Sequence, residues 1–339
     1  MSQASGCKAL PLSVITPVHN GAAWIHETVE SVLAQHHDAE IEHIVLDDGS
    51  TDDTRAVLRR FADRGVRFVS HANIGEARTI NRGVEQARHD LIAVVNADDP
   101  VLPGWAAAMT HRFHDAALSA AYPDWRMIDA NGCTVRDVRT HAFEFATLFA
   151  QHFCIPGPGA VVRRSHLPAG EALRDPARGL SGDYDLWLRL GLRGQIRRVP
   201  LMLATWRRHS GGASVSRRGA PMACDKIDTI RAFIARRDLP PQVRTLGPQA
   251  LSAAYAVAAL LGLRSAGVPA WRYVLLSYWH KPFWPRDVVQ QQRRSLPHLA
   301  YAATQPLSGC LHRLLSPALP YHFSRAAVLD EEFGSLHAT

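Results

Sequence analysis

Cysteine is scarce and solitary in this chain of 339 residues: Cys7, Cys133, Cys154, Cys224 and Cys310 stand alone, with no CxxC pair and no repeated spacing. An odd, dispersed set excludes a disulfide framework and a zinc cluster, and it suits a reducing cytosol. No apolar stretch follows a basic one at the amino terminus, so no secretory signal is expected. There is no internal repeat, and no zinc-finger or RNA-binding signature, so nucleic acid is not an expected partner. At 47% apolar and 20% charged residues, the composition excludes disordered and collagen-like chains. A chain of this length builds a core without covalent staples.

Acidic charge is short overall, with a net +7, but the deficit is local. Residues 1–216 carry a balance of −1 and residues 217–339 a balance of +8. A neutral first part with a basic last third favours contact with an anionic surface through the tail.

The first hundred residues alternate between apolar runs and helical spacing. Leu12–Val18 is a β-branched run stopped by His19-Asn20-Gly21, and Trp24, Ile25, Thr28, Val29, Val32 and Leu33 then recur at helical intervals. Further strands are expected at 41–46, 66–70 and 91–95, separated by helices around 56–62 and within 73–88. This alternation predicts an α/β fold on a mostly parallel sheet covered on both faces. Beyond residue 100 a helix is expected at 105–113, a strand at 122–128, a loop at 156–159, a helix at 183–192 and a strand at 198–206. From about 222 the chain reads as helices. Ligands of such sheets lie beyond the carboxyl ends of the strands. Asp47-Asp48 and Asn96-Ala97-Asp98-Asp99 fall at those ends. Two acidic clusters on one rim call for a cation, and Mg²⁺ or Mn²⁺ with carboxylate, water and phosphate ligands is the simplest candidate. Taken one at a time, the same residues read as capped turns.

Six ordered segments carry a resemblance. They are 13–20 (SVITPVHN), 45–54 (VLDDGSTDDT), 73–83 (NIGEARTINRG), 91–99 (LIAVVNADD), 183–189 (DYDLWLR) and 206–209 (WRRH). Together they resemble family 2 glycosyltransferases with the GT-A fold, of the bacterial type that builds cell-surface polysaccharide. The resemblance covers residues 11–216, implying a catalytic domain there and leaving 217–339 as a basic, aromatic-rich helical extension. It implies inverting transfer from a UDP- or dTDP-sugar to a glycan or lipid-linked acceptor. Pro17, His19 and Asn20 match the loop that holds the base, and Asp48 the acid that bonds the pyrimidine edge. Asn96 matches the position that meets the ribose, and Asp98 the metal ligand at the diphosphate. Asp183 matches the catalytic base, which takes the acceptor proton on the face opposite the leaving nucleotide. His209 matches a histidine near the metal, and Arg207 or Arg208 is a candidate phosphate contact. Asn96 and Gly182 depart from the commoner acids at their positions. Trp125, Asp185 and Trp187 are acceptor-site candidates.

The tail lies outside the resemblance. Residues 245–263 hold no charge but are alanine-rich, with Pro248 and Gln249 near their start, so a buried helix is expected rather than a membrane span. Trp271, Tyr273, Tyr278, Trp279, Phe283 and Trp284 alternate with Arg272, Lys281 and Arg286, as interfacial segments do. A cytoplasmic location is expected, with peripheral contact at the inner membrane face. Two rivals differ in class. One is a relative that binds nucleotide or glycan without turnover. The other is a nucleotidyltransferase, which usually has a glycine-rich phosphate loop with Lys or Arg where this chain has His19-Asn20-Gly21-Ala22.

Overall fold

The structure is a computed structural model that describes residues 9–152, 154, 156–212, 216, 219–262 and 270–280. Four parallel strands form one half of the sheet, β1 (Leu12–Val18), β2 (Ile41–Asp48), β3 (Val66–His71) and β4 (Leu91–Val94), in the order β3-β2-β1-β4. β1 is buried throughout, which suits its nearly continuous apolar run. The crossovers are α1 (Ile25–Leu33), α2 (Thr54–Arg59) and α3 (Glu76–Gln86). Val18 pairs with Asp47, and Asp48 with His71. The polar segments after all four strands therefore share one rim.

The second half is mixed. β5 (Leu118–Ile128) runs parallel to β8 (Gln195–Arg207) and antiparallel to β6 (Thr134–Val138) and β7 (Val161–Arg163). β7 joins the halves: Val162 pairs with Ile92 of β4 on one side and Ala120 of β5 on the other, both antiparallel. The sheet is thus mostly parallel, as expected, with β6 and β7 as antiparallel insertions that the sequence pattern did not announce. α4 (Trp105–Thr110) buries Trp105, whose Nε1 donates to the Gly159 carbonyl at 2.7 Å. A Cβ at Gly159, where φ is +76°, would stand 2.5 Å from the Ala204 methyl, so this loop turns only with glycine there.

α5 (Phe145–Ala150) and α6 (Gly182–Gly191) cover the mixed half. The chain then forms α7 (Ala220–Ile234), a single helical turn at Pro241–Arg244, α8 (Gly247–Gly262) and α9 (Ala270–His280). The expected buried helix at 245–263 is α8. Ile230 and Phe233 of α7 and Ala250, Ala254 and Tyr255 of α8 belong to the same core cluster as Phe149, Tyr184 and Leu188. These helices therefore share the core of the sheet unit and do not begin a separate one at 217. Among the described residues no helix is long and apolar enough to cross a membrane. α9 exposes Leu275, Tyr278 and Trp279, the last at 84%. Lys281, Phe283, Trp284 and Arg286 lie outside the described residues.

Candidate functional site

The rim is assembled from loops that bond one another. Pro17 is buried in β1 opposite Leu46 and fixes the exit of the strand. His19 and Asn20 after it are exposed. His19 Nδ1 lies 2.9 Å from the Asp48 carbonyl oxygen, which makes Nδ1 the protonated nitrogen. Asn20 adopts φ 55°, and its Oδ1 accepts the amides of Thr51 at 2.8 Å and Asp52 at 3.3 Å. The Asp48 carboxylate accepts the amides of Ile74 at 2.6 Å and Gly75 at 3.0 Å, so it orders the 72–75 loop. Each of its oxygens has a second lone pair for a further donor.

The expected acidic repulsion is largely relieved by the protein itself. Asp47 is paired to Arg55 Nε at 2.6 Å and accepts from Ser70 at 2.7 Å and the Ser50 amide at 2.9 Å. Burial pushes its carboxyl up, but the bonds from Ser50, Ser70 and Arg55 outweigh that and hold it below the ordinary value. Asp99 is buried. Its burial and the adjacent Asp98 carboxylate push its carboxyl well up, against bonds from the Arg207 amide and Asn96. Asn96 donates to Asp99 at 3.0 Å.

Asp98 presents its carboxylate toward His209, with Oδ2 2.8 Å from Nε2. Trp24 lies against the far side of this histidine, ring centroids 4.1 Å apart, and donates to the Ala130 carbonyl at 3.1 Å. Among the described residues no group of three metal-ligating side chains occurs. A carboxylate beside an imidazole at a partly open rim nonetheless fits a divalent ion that completes its shell with water and phosphate oxygens, and the nitrogen donor suits Mn²⁺. Arg207 corrects an expectation: it is not a free phosphate contact. It is buried, pairs with Glu27, and donates through Nε to the Asp98 carbonyl at 2.9 Å and through Nη1 to Asp129 and Ala130.

Asp183 is exposed in the first turn of α6, where its Oδ1 accepts the Tyr184 amide at 2.7 Å. A cavity of about 210 Å³ brings it together with Asn96, Asp99, Arg174, Trp187 and Trp206. The base candidate thus opens on one space with Asn96 and Asp99 of the turn that carries Asp98, while Asp98 and His209 are not among the lining residues. Trp187 belongs to this wall. Trp125, half-buried, meets Trp206 edge-on at 6.1 Å and lies under the 156–159 loop, where a Cβ at Gly157 would come within 2.8 Å of its Nε1. Asp185 is a second correction. It is buried, its carboxylate 2.7 Å from Arg189 Nε, and Arg189 also donates to the Ala172 and Leu173 carbonyls at 2.9 Å. Asp185 anchors the 171–173 segment and does not line the cavity. Asp99, Arg174 and Trp206 were not singled out as site residues. A second acid beside Asp98 was the only local sign for Asp99, and nothing local marks Arg174.

Residues 13–168 match the family model described as Glycosyl transferase family 2. An uncharacterized protein of Mycobacterium tuberculosis is 30% identical over 61% of this chain and 69% of its own length. The putative teichuronic acid biosynthesis glycosyltransferase TuaG of Bacillus subtilis is 38% identical over 26% of this chain, a match spanning 36% of TuaG. The crystal structure of S. aureus TarS 1–349 in complex with UDP-GlcNAc superposes with a TM-score of 0.61 at 16% identity, covering 93% of this chain and 94% of that one. At that identity the likeness concerns the fold, and it bears out the expected GT-A architecture with its helical carboxyl-terminal part.

Proposed function

The chain belongs to glycosyl transferase family 2, and from that premise we propose that it transfers a sugar, with inversion, from a UDP- or dTDP-sugar to a glycan or lipid-linked acceptor in cell-surface polysaccharide synthesis. One observation carries the reading: Asp183 shares a cavity with Asn96 and Asp99, the neighbours of Asp98. TuaG's part in teichuronic acid synthesis and the UDP-GlcNAc bound by TarS support the substrate class.

The base stacks at His19 and Asn20, and Asp48 accepts the pyrimidine imide N–H on a lone pair not used by the 74–75 amides. A purine at the same edge would present a different donor pattern to that carboxylate. Asn96 bonds the ribose. Asp98 and His209 would hold Mg²⁺ or Mn²⁺. The bound ion supplies positive charge for the departing diphosphate. Asp183 takes the acceptor hydroxyl proton as that oxygen bonds C1, while the C1–phosphate bond breaks and its electron pair leaves with the diphosphate. The exposed aromatic face of α9 supports peripheral contact with the inner membrane surface.

The test is transfer and hydrolysis by the full chain over a panel of nucleotide sugars with Mn²⁺. Asp183→Asn is expected to lower turnover by about 10²–10⁴-fold with donor binding kept. Full transfer by this variant would remove the base assignment. The rival reading, binding without turnover, is favoured by Asn96 and Gly182; UDP binding without transfer from any donor would establish it.

A further inference from the structure

Two buried N–H groups on the cavity wall have no hydrogen-bond partner among the described residues. Trp187 is 4% exposed, and its Nε1 finds no partner among the described residues. Nη1 of Arg174 is likewise buried without a partner among them, and both residues line the cavity that holds Asp183. Arg174 is not a loose surface side chain. Asn81 of α3 clamps its backbone, with Oδ1 accepting the Arg174 amide at 2.9 Å and Nδ2 donating to its carbonyl at 2.7 Å. A buried donor without an acceptor is uncommon, and a guanidinium without a counter-charge more so.

Position 182 stands beside this guanidinium and supplies it no counter-charge. A Cβ on Gly182 would lie 3.6 Å from Arg174 Cδ, so a side chain there would run beside the guanidinium stem. Glycine brings no acid to that place, and among the described residues the guanidinium forms no ion pair, although Asp183 and Asp99 line the same cavity. Trp206, half-buried, adds an aromatic ring of the kind that packs on pyranose rings. A planar guanidinium matches the two oxygens of a carboxylate, and the Trp187 N–H is a further donor on the same cavity.

We propose that this wall is a subsite for a glycosyl carboxylate, so that one of the two sugars handled is a hexuronic acid, with Arg174 as the specificity-determining residue. The inference rests on the nucleotide-sugar reading above and names its substrate class.

The test is calorimetry on the full chain, its Arg174→Ala variant and its Gly182→Glu variant, with Mn²⁺ present. One arm compares UDP-glucuronate with UDP-glucose, with UDP as reference. The other saturates the protein with UDP and compares methyl glucuronide with methyl glucoside. The arm that carries the acid is expected to show a preference of about 10- to 100-fold for the acidic ligand. Both variants are expected to bring that ratio near one, Gly182→Glu by placing a carboxylate beside an intact Arg174. Absence of a preference in both arms, or a preference that survives both variants, would overturn the proposal. So would an Arg174→Ala loss for UDP as large as for UDP-glucuronate, which would assign the guanidinium to the diphosphate. Failure of the unaltered chain to bind UDP at all would defeat the nucleotide-sugar reading and this inference with it.

Discussion

His209 Nε2 stands 2.8 Å from Asp98 Oδ2, although 111 positions separate the two residues in the chain. The pairing is made by the register of the long strands: Arg207, the last residue of β8, pairs with Ile128, and its amide donates to Asp99 at 2.7 Å. The end of β8 is thereby tied to the turn after β4, and the imidazole two residues on meets the carboxylate.

If the pair holds a divalent ion, removing one donor weakens the ion before it affects the nucleotide. His209→Ala is expected to raise the Mn²⁺ concentration giving half-maximal transfer by about ten-fold or more. Asp98→Ala, which removes the charged donor, is expected to be more severe. A metal titration of transfer activity checks both. Activity unchanged in excess chelator would remove the ion from the account.

Arg207 gives a prediction about stability. Its guanidinium is buried and meets four partners, namely Glu27 and the carbonyls of Asp98, Asp129 and Ala130. Truncation leaves these acceptors without their shared donor, so Arg207→Ala is expected to cost about 3 kcal/mol or more. Lysine, with a point charge in place of the fork, is expected to recover only part of it. Urea unfolding of the three proteins measures this, and a loss within about 0.5 kcal/mol of zero, the size of a typical surface substitution, would show that the buried network adds nothing to stability.

The legible and illegible parts of the site divide along one physical line. β1, β2 and β4 were readable because buried parallel strands are apolar runs and their ends turn polar, and the part-exposed edge strand β3 because Val66, Phe68 and Val69 favour a strand. β7 was not, because three residues carry no periodicity and its place between β4 and β5 is decided by tertiary pairing. β6 was missed because it is a mostly exposed edge strand with the polar sequence TVRDV. Asp183 and Asp185 look equivalent on paper, two acids at the head of a helix. A helix turns about 200° over two residues, so when one faces the cavity the other faces the core. Asp185 accordingly meets Arg189, one turn along on its own side. Arg207 is a candidate phosphate contact by resemblance, but its burial depends on the β8 ending that no local pattern shows.

The contact of α3 with the sheet predicts a cost that runs against helix propensity. A Cβ at Gly83 would stand 2.5 Å from Ile15 Cγ2 and 2.8 Å from Leu46 Cδ1, both side chains fully buried. Alanine gains up to about 1 kcal/mol in helix propensity, whereas overpacking costs about 1–3 kcal/mol. Gly83→Ala is therefore expected to be destabilising by about 1–2 kcal/mol in denaturant titrations. A stabilised variant would show that α3 lifts from β1 and β2 at little cost.

His43 supplies a pH dependence separate from catalysis. It lies in the middle of β2, wholly buried, with Nε2 3.0 Å from Thr16 Oγ1. Burial, with a smaller push from His36, lowers its value from 6.5 to about 3. In the unfolded chain the imidazole takes a proton near pH 6.5, which the folded chain refuses until about pH 3. Stability is therefore fully present above about pH 6.5 and drains away as the pH falls toward 3, by at most about 1.4 kcal/mol per pH unit. Between pH 7 and pH 5 the loss from this residue is expected to be about 2 kcal/mol. His43→Gln keeps a polar group near Thr16 without the titration, so its stability is expected to fall less over the same interval by that amount. Parallel unfolding curves at the two pH values isolate the term from the other histidines, and equal losses in the two proteins would mean that His43 is protonated inside the fold.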